Sequence, residues 1–202
     1  MSILRKFNQL MGNFTTHDGV IALTYHRVND KLPKGQLVVH PKDFAIQMMF
    51  LNFYRKQFEV ISVDKMRDCF GRQGGLAMTS KPCTKIVITF DDGYKDNYIH
   101  AYPILKKYKF PATVFLTTDY TGADYLNKDE IREMMDGGIS FGAHTTTHPH
   151  LTQISVEEAE KEIGKTKEAI PFCYPYGDYN EKVKEIVKKM GFGCAFTVKP
   201  GI

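Results

Sequence analysis

Short apolar runs alternate with amphipathic stretches along nearly the whole chain. Several of the runs are almost wholly apolar and rich in Val, Ile, Phe and Tyr, which is typical of strands buried on both faces. The predicted strands are Val20–Tyr25, Glu59–Ser62, Ile86–Phe90, Ala112–Leu116, Ile139–Ala143, Phe172–Tyr174 and Cys194–Val198. Segments of this kind separated by helices predict parallel strands joined by right-handed crossovers.

The stretches between these strands carry helical spacing and helix-end signals. Asn127 with Glu130, and Ser155 with Glu158, stand in capping-box register, and Gly191 is a helix stop. The predicted helices are Asp43–Lys56, Asn97–Lys107, Lys128–Asp136, Val156–Ala169 and Glu181–Met190. The alternation predicts an α/β fold, either an open doubly wound sheet or a closed barrel. Because no Gly-x-Gly-x-x-Gly follows the first strand, the dinucleotide-binding form of the open sheet is disfavoured.

The composition is that of an ordinary globular domain. The 202 residues are 43% hydrophobic and 25% charged, and 27 basic against 23 acidic residues give a net charge of +4. The basic residues form only short clusters, so nucleic-acid binding is not expected. The four cysteines (Cys69, Cys83, Cys173 and Cys194) contain no CxxC pair, which argues against a zinc ribbon or a disulfide framework. We expect one domain over residues 1–202, with its core at about residues 20–198.

The sequence contains no apolar run of signal-peptide length and no membrane span. As given, the chain is expected to be cytoplasmic, or extracytoplasmic if a signal was removed ahead of this numbering.

Two adjacent carboxylates, Asp91 and Asp92, end the apolar run Ile86–Phe90 and precede Gly93. In parallel α/β folds, active sites form at this end of the strands. Two carboxylates that close repel one another unless a cation or a proton separates them. A helix N-cap with a supporting acid is the competing interpretation.

Three of the seven histidines, His144, His148 and His150, lie within seven consecutive residues after the predicted strand Ile139–Ala143. The HxxxH spacing of the first two suits a transition metal, and Pro149 favours a turn over an uninterrupted helix. Two His and one Asp on one face would give a divalent cation three ligands and leave positions open for water and substrate.

Two further strand ends carry candidate chemistry. At Tyr174-Pro175-Tyr176-Gly177, the backbone N–H of Tyr176 could stabilise an oxyanion, although an aromatic strand end entering a turn is the simpler interpretation. His26 ends the first strand, where it could donate a proton or be merely structural.

Together, these stretches resemble the polysaccharide deacetylase family, carbohydrate esterase family 4, from about Val20 to Val198. The most specific motifs are Thr89–Gly93 and His144–His148. The resemblance implies a distorted (β/α)7 barrel whose active site lies at the C-terminal strand ends. It also implies hydrolysis of N-acetyl groups on carbohydrates with a divalent metal, and acetylated polysaccharides or oligosaccharides as partners.

Carried over residue by residue, the resemblance implies that Asp91 is the general base and that Asp92, His144 and His148 are the metal ligands. Tyr176 then stabilises the oxyanion through its backbone. Zn²⁺ is the first expectation for the metal, and Co²⁺, Ni²⁺ or Fe²⁺ suit the same ligands.

The N-terminal Tyr-His motif is similar to that of the circularly permuted poly-N-acetylglucosamine deacetylase subgroup, in which such a histidine is the general acid; His26 fits that position. With no Trp in the chain, the nearest candidates for sugar binding are Tyr94, Tyr174 and Pro175, beside Tyr176.

The chain departs from the family pattern in three places. Cys173 stands where an Arg often precedes the Pro-Tyr segment, the C-terminal Leu-x-His motif is absent, and Lys165–Pro171 is short. The alternatives are therefore a catalytically silent carbohydrate-binding domain, or a deacetylase of a small or lipid-linked acetamido sugar.

Overall fold

A computed structural model describes residues 15–17, 20–66, 83–164 and 171–197 of the chain. The strands are β1 (Thr15–His17), β2 (Val20–Tyr25), β3 (Arg27–Val28), β4 (Val38–Val39), β5 (Phe58–Val60), β6 (Thr84–Phe90), β7 (Ala112–Leu116), β8 (Ile139–Ala143), β9 (Pro171–Cys173) and β10 (Cys194–Phe196). The α-helices are α1 (Pro41–Phe53), α2 (Tyr102–Tyr108), α3 (Lys128–Asp136), α4 (Val156–Gly164) and α5 (Glu181–Lys189).

Seven parallel strands form the body of one sheet. β2 lies along one edge of β6, and β5 and β7 pair with the other edge; β8, β9 and β10 follow in order. β1 adds an antiparallel strand beside β2, and β3 and β4 form a separate small ladder. The seven parallel strands are the seven that the sequence predicts.

The element boundaries differ from the predicted ones by a few residues. The first helix begins at Pro41 rather than Asp43, because the side chain of His40 caps it by accepting from the N–H of Lys42. Residues Asn97–Ala101 form π-helical turns ahead of α2, where a continuous α-helix is predicted. Both predicted capping signals are present at the starts of α3 and α4. The ends of the predicted segments at Ala169 and Val198, and the loop Gly71–Ser80, lie outside the described residues.

Successive side chains of the strands alternate between two faces of the sheet, one covered by helices and the other facing the interior of the barrel. On β2 and β6, one set of side chains packs beneath the first helix with Phe44, Met48 and Leu51; its members are Ile21, Leu23, Tyr25, Ile86, Ile88 and Phe90. Full burial of such side chains is worth about 1.5–3 kcal/mol each relative to exposure. The alternate residues therefore point to the other side of the sheet.

Side-chain packing on the interior face brings the two ends of the sheet together. Val20 and Val87 form an apolar cluster with Ile61 and Phe196, and the rings of Phe196 and Phe115 lie 5.4 Å apart. In the described ranges β10 pairs with β9, and no ladder joins β10 to β2. The sheet thus curls until its ends share one interior, which confirms the predicted distorted barrel.

Candidate metal centre and active site

The side chains of His26 and Asp91 lie on the face of the sheet that carries Thr24 and Thr89. Thr24 and Thr89 are paired in the β2–β6 ladder, and their hydroxyl groups are hydrogen-bonded at 3.0 Å. Two residues further along each strand, His26 and Asp91 face the same side of the sheet as these threonines. Their side chains approach to 3.8 Å between Nε2 and Oδ2, and the N–H of Asp91 donates to the carbonyl oxygen of Tyr25 at 2.9 Å. The ladder therefore places these two residues together.

Asp91 is a buried carboxyl group with only 4% of its surface exposed, and its Oδ1 has no hydrogen-bond partner among the described residues. Burial and then the charge of Asp92 raise the pKa of Asp91 to about 7, against the opposing effect of the Cys173 thiol. A carboxyl group with a pKa near neutrality can exchange a proton under ordinary conditions.

A tight turn brings Asp92 back toward the interior. Asp92 has φ 70° and Gly93 has φ 72°, both in the left-handed region that glycine adopts most readily. A Cβ on Gly93 would lie 2.6 Å from Cδ2 of Leu116, so this position also requires a residue without a side chain. Asp92 Oδ1 lies 3.6 Å from His144 Nε2 and 3.5 Å from His148 Nε2.

His144 continues the interior side of β8 and is 2% exposed. Its Nδ1 lies 2.8 Å from the carbonyl oxygen of Cys173; because that oxygen can only accept, Nδ1 is the donor. Burial lowers the pKa of His144 to about 3, so the ring is neutral. Its Nε2 lone pair therefore faces Asp92 and His148, as a metal ligand requires.

The segment from His144 to His148 is a turn, as its sequence predicts. Thr145 and His148 are left-handed, with φ 67° and 63°. The N–H of His148 donates to the Thr145 hydroxyl at 3.1 Å, and the Nε2 atoms of the two histidines lie 3.1 Å apart. The positive-φ residues fold the chain back, so both rings converge without a helix.

Glu162 on α4 supports this turn, although sequence reasoning did not find it. Its carboxylate accepts from the N–H groups of Thr146 and Thr147, at 3.0 and 2.9 Å, and from the Thr147 hydroxyl at 3.0 Å. The only signal in the sequence is a Glu on a helix that follows the motif, and most such residues simply face solvent.

The cluster of Asp92, His144 and His148 fits a divalent transition metal. One ligand atom from each residue lies within 4.8 Å of the others, and Asp92 Oδ1 is buried with no hydrogen-bond partner among the described residues. Two neutral imidazoles and a carboxylate form a ligand set typical of such ions. A second grouping combines His144 with Asp91 and Cys173 in place of Asp92 and His148. Burial raises the pKa of the Cys173 thiol well above its usual value, which disfavours the thiolate that a metal would need.

The aromatic residues after β9 have different environments. Tyr176 is 55% exposed, has φ 58°, and its ring stacks on His150 at 3.9 Å and meets the edge of His148 at 4.6 Å. Tyr174 is 5% exposed and packs against Phe172 and Tyr179, as expected for a core ring. Pro175 is also buried. Tyr174 and Pro175 are therefore part of the core in this structure, and their contact with a sugar stays a prediction.

Tyr94 belongs to a group of three tyrosines near the cluster, of which Tyr120 and Tyr125 are not predicted from the sequence. Its half-buried ring stacks on Tyr125 at 5.3 Å, and Tyr120 lies 4.9 Å from Tyr125 and 6.1 Å from His148. The guanidinium group of Arg27 covers Tyr94 at 4.3 Å. These rings provide apolar surface next to the candidate metal ligands.

A groove of about 380 Å³ begins at Asp92 and is lined by one of these tyrosines, Tyr120. Its walls include Leu116, Tyr120 and Leu126, together with Thr118 and Thr121. Apolar walls with a few polar groups are typical of ligand sites.

The fold and the cluster at its strand ends define an α/β barrel protein with a candidate divalent-metal centre. The family model for polysaccharide deacetylases matches residues 79–195, which is more than half of the chain. The chain therefore belongs to the polysaccharide deacetylase family.

Individual relatives agree with this assignment. The deacetylase PplD of Streptococcus pyogenes, in complex with acetate, superposes with a TM-score of 0.78 at 27% identity, over 89% of this chain and 84% of that one. A polysaccharide deacetylase from Bacillus cereus gives a TM-score of 0.71 at 31% identity, over 90% of this chain and 58% of that one.

Among curated proteins, the poly-β-1,6-N-acetyl-D-glucosamine N-deacetylase of Staphylococcus aureus is 31% identical over 142 residues, covering 58% of this chain and 49% of the relative. The chain thus spans about half the length of the curated relatives it matches. Among the described residues, no helix combines the length and apolar character needed to cross a bilayer.

Proposed function

We propose that this chain is a metal-dependent N-deacetylase of a polysaccharide containing N-acetylglucosamine. The observation that carries the proposal is the placement of Asp91, with an unpartnered buried oxygen, between His26 and the Asp92–His144–His148 cluster. A proton acceptor, a proton donor and a metal-binding set are thereby gathered at one point.

Asp92, His144 and His148 would hold the ion, with Zn²⁺ as the first expectation and Co²⁺, Ni²⁺ or Fe²⁺ compatible with the same donors. When bound, such an ion supplies a Lewis acid that polarises the acetyl carbonyl and makes water a better nucleophile.

The side chains then have distinct roles in hydrolysis. Asp91 accepts the proton of the attacking water, for which its raised pKa suits it. The backbone N–H of Tyr176 donates to the oxyanion that develops on the acetyl oxygen. His26 protonates the sugar nitrogen as the C–N bond breaks, because an amine leaves poorly as an anion. The products are acetate and the free amino sugar.

An extended substrate is supported by the groove that begins at Asp92, which is larger than an acetyl group requires. The curated relative named for poly-β-1,6-N-acetyl-D-glucosamine makes a polymer of that sugar the first substrate to test.

The test is acetate release by the purified chain, reconstituted with Zn²⁺, from N-acetylglucosamine oligomers with β-1,6 and β-1,4 linkages. We expect release that stops on chelation and is restored by added metal. Stoichiometric metal binding without release from any acetylated sugar would contradict the enzyme and favour the silent carbohydrate-binding domain. Release from a monosaccharide alone would favour a small-sugar deacetylase.

A further inference from the structure

The segment that carries His26 makes polar contacts with Asp96 and Asn97, at the start of the π-helical turns after Asp91. Asn97, which is 1% exposed, donates from its side-chain amide to the carbonyl oxygen of His26 at 2.9 Å. Asp96, which is 4% exposed, accepts from the N–H of Val28 at 3.2 Å and from the side-chain amide of Asn29 at 3.0 Å. The backbone of this segment is thus held at several consecutive residues.

Arg27 adds a charged contact to the same carboxylate. Its Nε lies 2.7 Å from Asp96 Oδ2, and its guanidinium group also covers the ring of Tyr94. A charge-assisted hydrogen bond is shorter and stronger than a neutral one, particularly where water is excluded. Asp96 is therefore the acceptor at which three residues following His26 converge.

None of these contacts involves the imidazole of His26 or the metal ligands. They fix the main chain on the C-terminal side of His26, while the β2–β6 ladder fixes it on the N-terminal side. The main-chain contacts on both sides of His26 therefore hold its ring 3.8 Å from Asp91. Among the described residues, no short hydrogen bond of the imidazole itself does so.

We propose that Asp96 is a positioning residue: it holds the imidazole of His26 where the ring can donate a proton to the leaving nitrogen. This inference rests on the proposed function and concerns one step of it. In that step, water adds to the acetyl carbon, the C–N bond breaks, and the electron pair of that bond takes the proton from His26.

The step can be isolated by changing the leaving group. An amide nitrogen must be protonated to leave, whereas the phenolate of an aryl acetate leaves without a proton. Loss of His26 positioning therefore slows amide hydrolysis and leaves aryl ester hydrolysis nearly unchanged. Damage to the metal site or to Asp91 slows both reactions.

The principal variant is Asp96→Asn, and Asp30→Asn is its matched control. Asp30 is exposed on the same segment, and within the described ranges its one ion-pair contact is with His100 at 4.0 Å. A displacement of about 1 Å can cost roughly 100-fold in rate, so we expect Asp96→Asn to lower kcat for N-acetylglucosamine oligomers by about 10- to 100-fold. We expect kcat for p-nitrophenyl acetate, metal stoichiometry and KM to be nearly unchanged.

Two further measurements make the assignment specific. His26→Ala should reproduce the selective loss, by about 100-fold or more, and adding Asp96→Asn to it should cause little additional loss since both act through one group. In NMR spectra, the imidazole signals of His26 should move in Asp96→Asn and stay in place in Asp30→Asn. If Asp96→Asn fails to fold, Arg27→Ala removes a partly exposed donor to the same carboxylate and should give a smaller loss with the same amide selectivity.

Equal losses on both substrates, additive losses in the double variant, or an unmoved His26 signal would each overturn the positioning role. Absence of amide hydrolysis by the wild-type chain would instead contradict the proposed function, and the NMR comparison would still decide whether Asp96 positions His26.

Discussion

The Nδ1 atom of His144 donates to the carbonyl oxygen of Cys173 across 2.8 Å, joining the ends of β8 and β9. The acceptor belongs to the main chain, so the orientation of this candidate ligand does not depend on which side chain occupies position 173. The other ring nitrogen is directed at Asp92 and His148. This contact connects the folding of two strands to the geometry of the candidate metal centre.

The first prediction concerns metal binding. We expect His148→Ala to abolish stoichiometric Zn²⁺ binding, because it removes one of only three donors in the cluster. His150→Ala is the control from the same short segment, since His150 contacts Tyr176 and Asp178 instead. Metal analysis and titration calorimetry measure the difference, and equal affinities in the two variants would refute this ligand set.

The second prediction separates binding from chemistry at Asp91. Asp91→Asn keeps the size of the side chain and removes the proton acceptor, so we expect kcat for deacetylation to fall by about 100- to 10,000-fold. Zn²⁺ binding should persist because Asp91 is not in the proposed ligand set. Steady-state acetate release together with metal titration tests this, and full activity in the variant would exclude Asp91 as the base.

The third prediction concerns Glu162. Glu162→Gln weakens charge-assisted hydrogen bonds to the turn between the histidines, so the free energy of unfolding should fall by about 1.5–3 kcal/mol. Because these hydrogen bonds hold the turn between His144 and His148, their loss should weaken metal binding by about 10- to 100-fold. Glu160→Gln on the same helix is the control, because its partner Lys189 lies at the surface. If the two variants match in urea denaturation and metal titration, Glu162 does not support the site.

The fourth prediction concerns the packing behind the site. A Cβ on Gly142 would lie 2.6 Å from ring carbons of Phe115 and 2.8 Å from the carbonyl oxygen of Pro171. We expect Gly142→Ala to destabilise the fold by about 1–3 kcal/mol through overpacking. Gly35→Ala is the comparison, since that position has open space around it. Chemical denaturation distinguishes them, and wild-type stability of Gly142→Ala would show that the interior has room to relax.

The fifth prediction concerns the groove. If it receives a neighbouring sugar, Tyr120→Ala should lower kcat/KM for a pentamer of N-acetylglucosamine and have little effect on the monomer. Removing one aromatic stacking contact should cost roughly 0.5–1.5 kcal/mol. Tyr120→Phe retains the ring and should behave like the wild type. An unchanged dependence on chain length in Tyr120→Ala would place the polymer elsewhere.

The sequence was sufficient to predict the strands and the residues at their ends, because both signals are local. Apolar runs such as Ile86–Phe90 predict buried strands, and polar residues directly after them fall on one edge of a parallel sheet. His26 and Asp91, distant in the chain, could be placed together by this rule and by the family resemblance. The ladder from Val20 to Tyr25 confirms the parallel pairing on which that expectation depends.

The supporting contacts could not be predicted, because their partners are distant and chemically ordinary. Asp96 reaches the segment after His26 across 67 to 69 residues, and Glu162 reaches Thr146 across 16. The sequence also does not show which way the ring of Tyr174 faces, because a tyrosine near a motif looks the same in sequence whether its ring lies in a groove or in the core. Only the packing of the surrounding helices decides which occurs.

Four of the five non-glycine residues with positive φ in the described chain lie at the site: Asp92, Thr145, His148 and Tyr176. Left-handed backbone at such residues costs on the order of 1–3 kcal/mol each and persists only where the surroundings enforce it. We therefore expect stability and the proposed activity to be opposed at these positions, as is common at functional sites. A selection for thermal stability alone would favour glycine at position 92 or 148 and would eliminate a candidate metal ligand with each gain, so screens of this protein should measure metal binding alongside melting temperature.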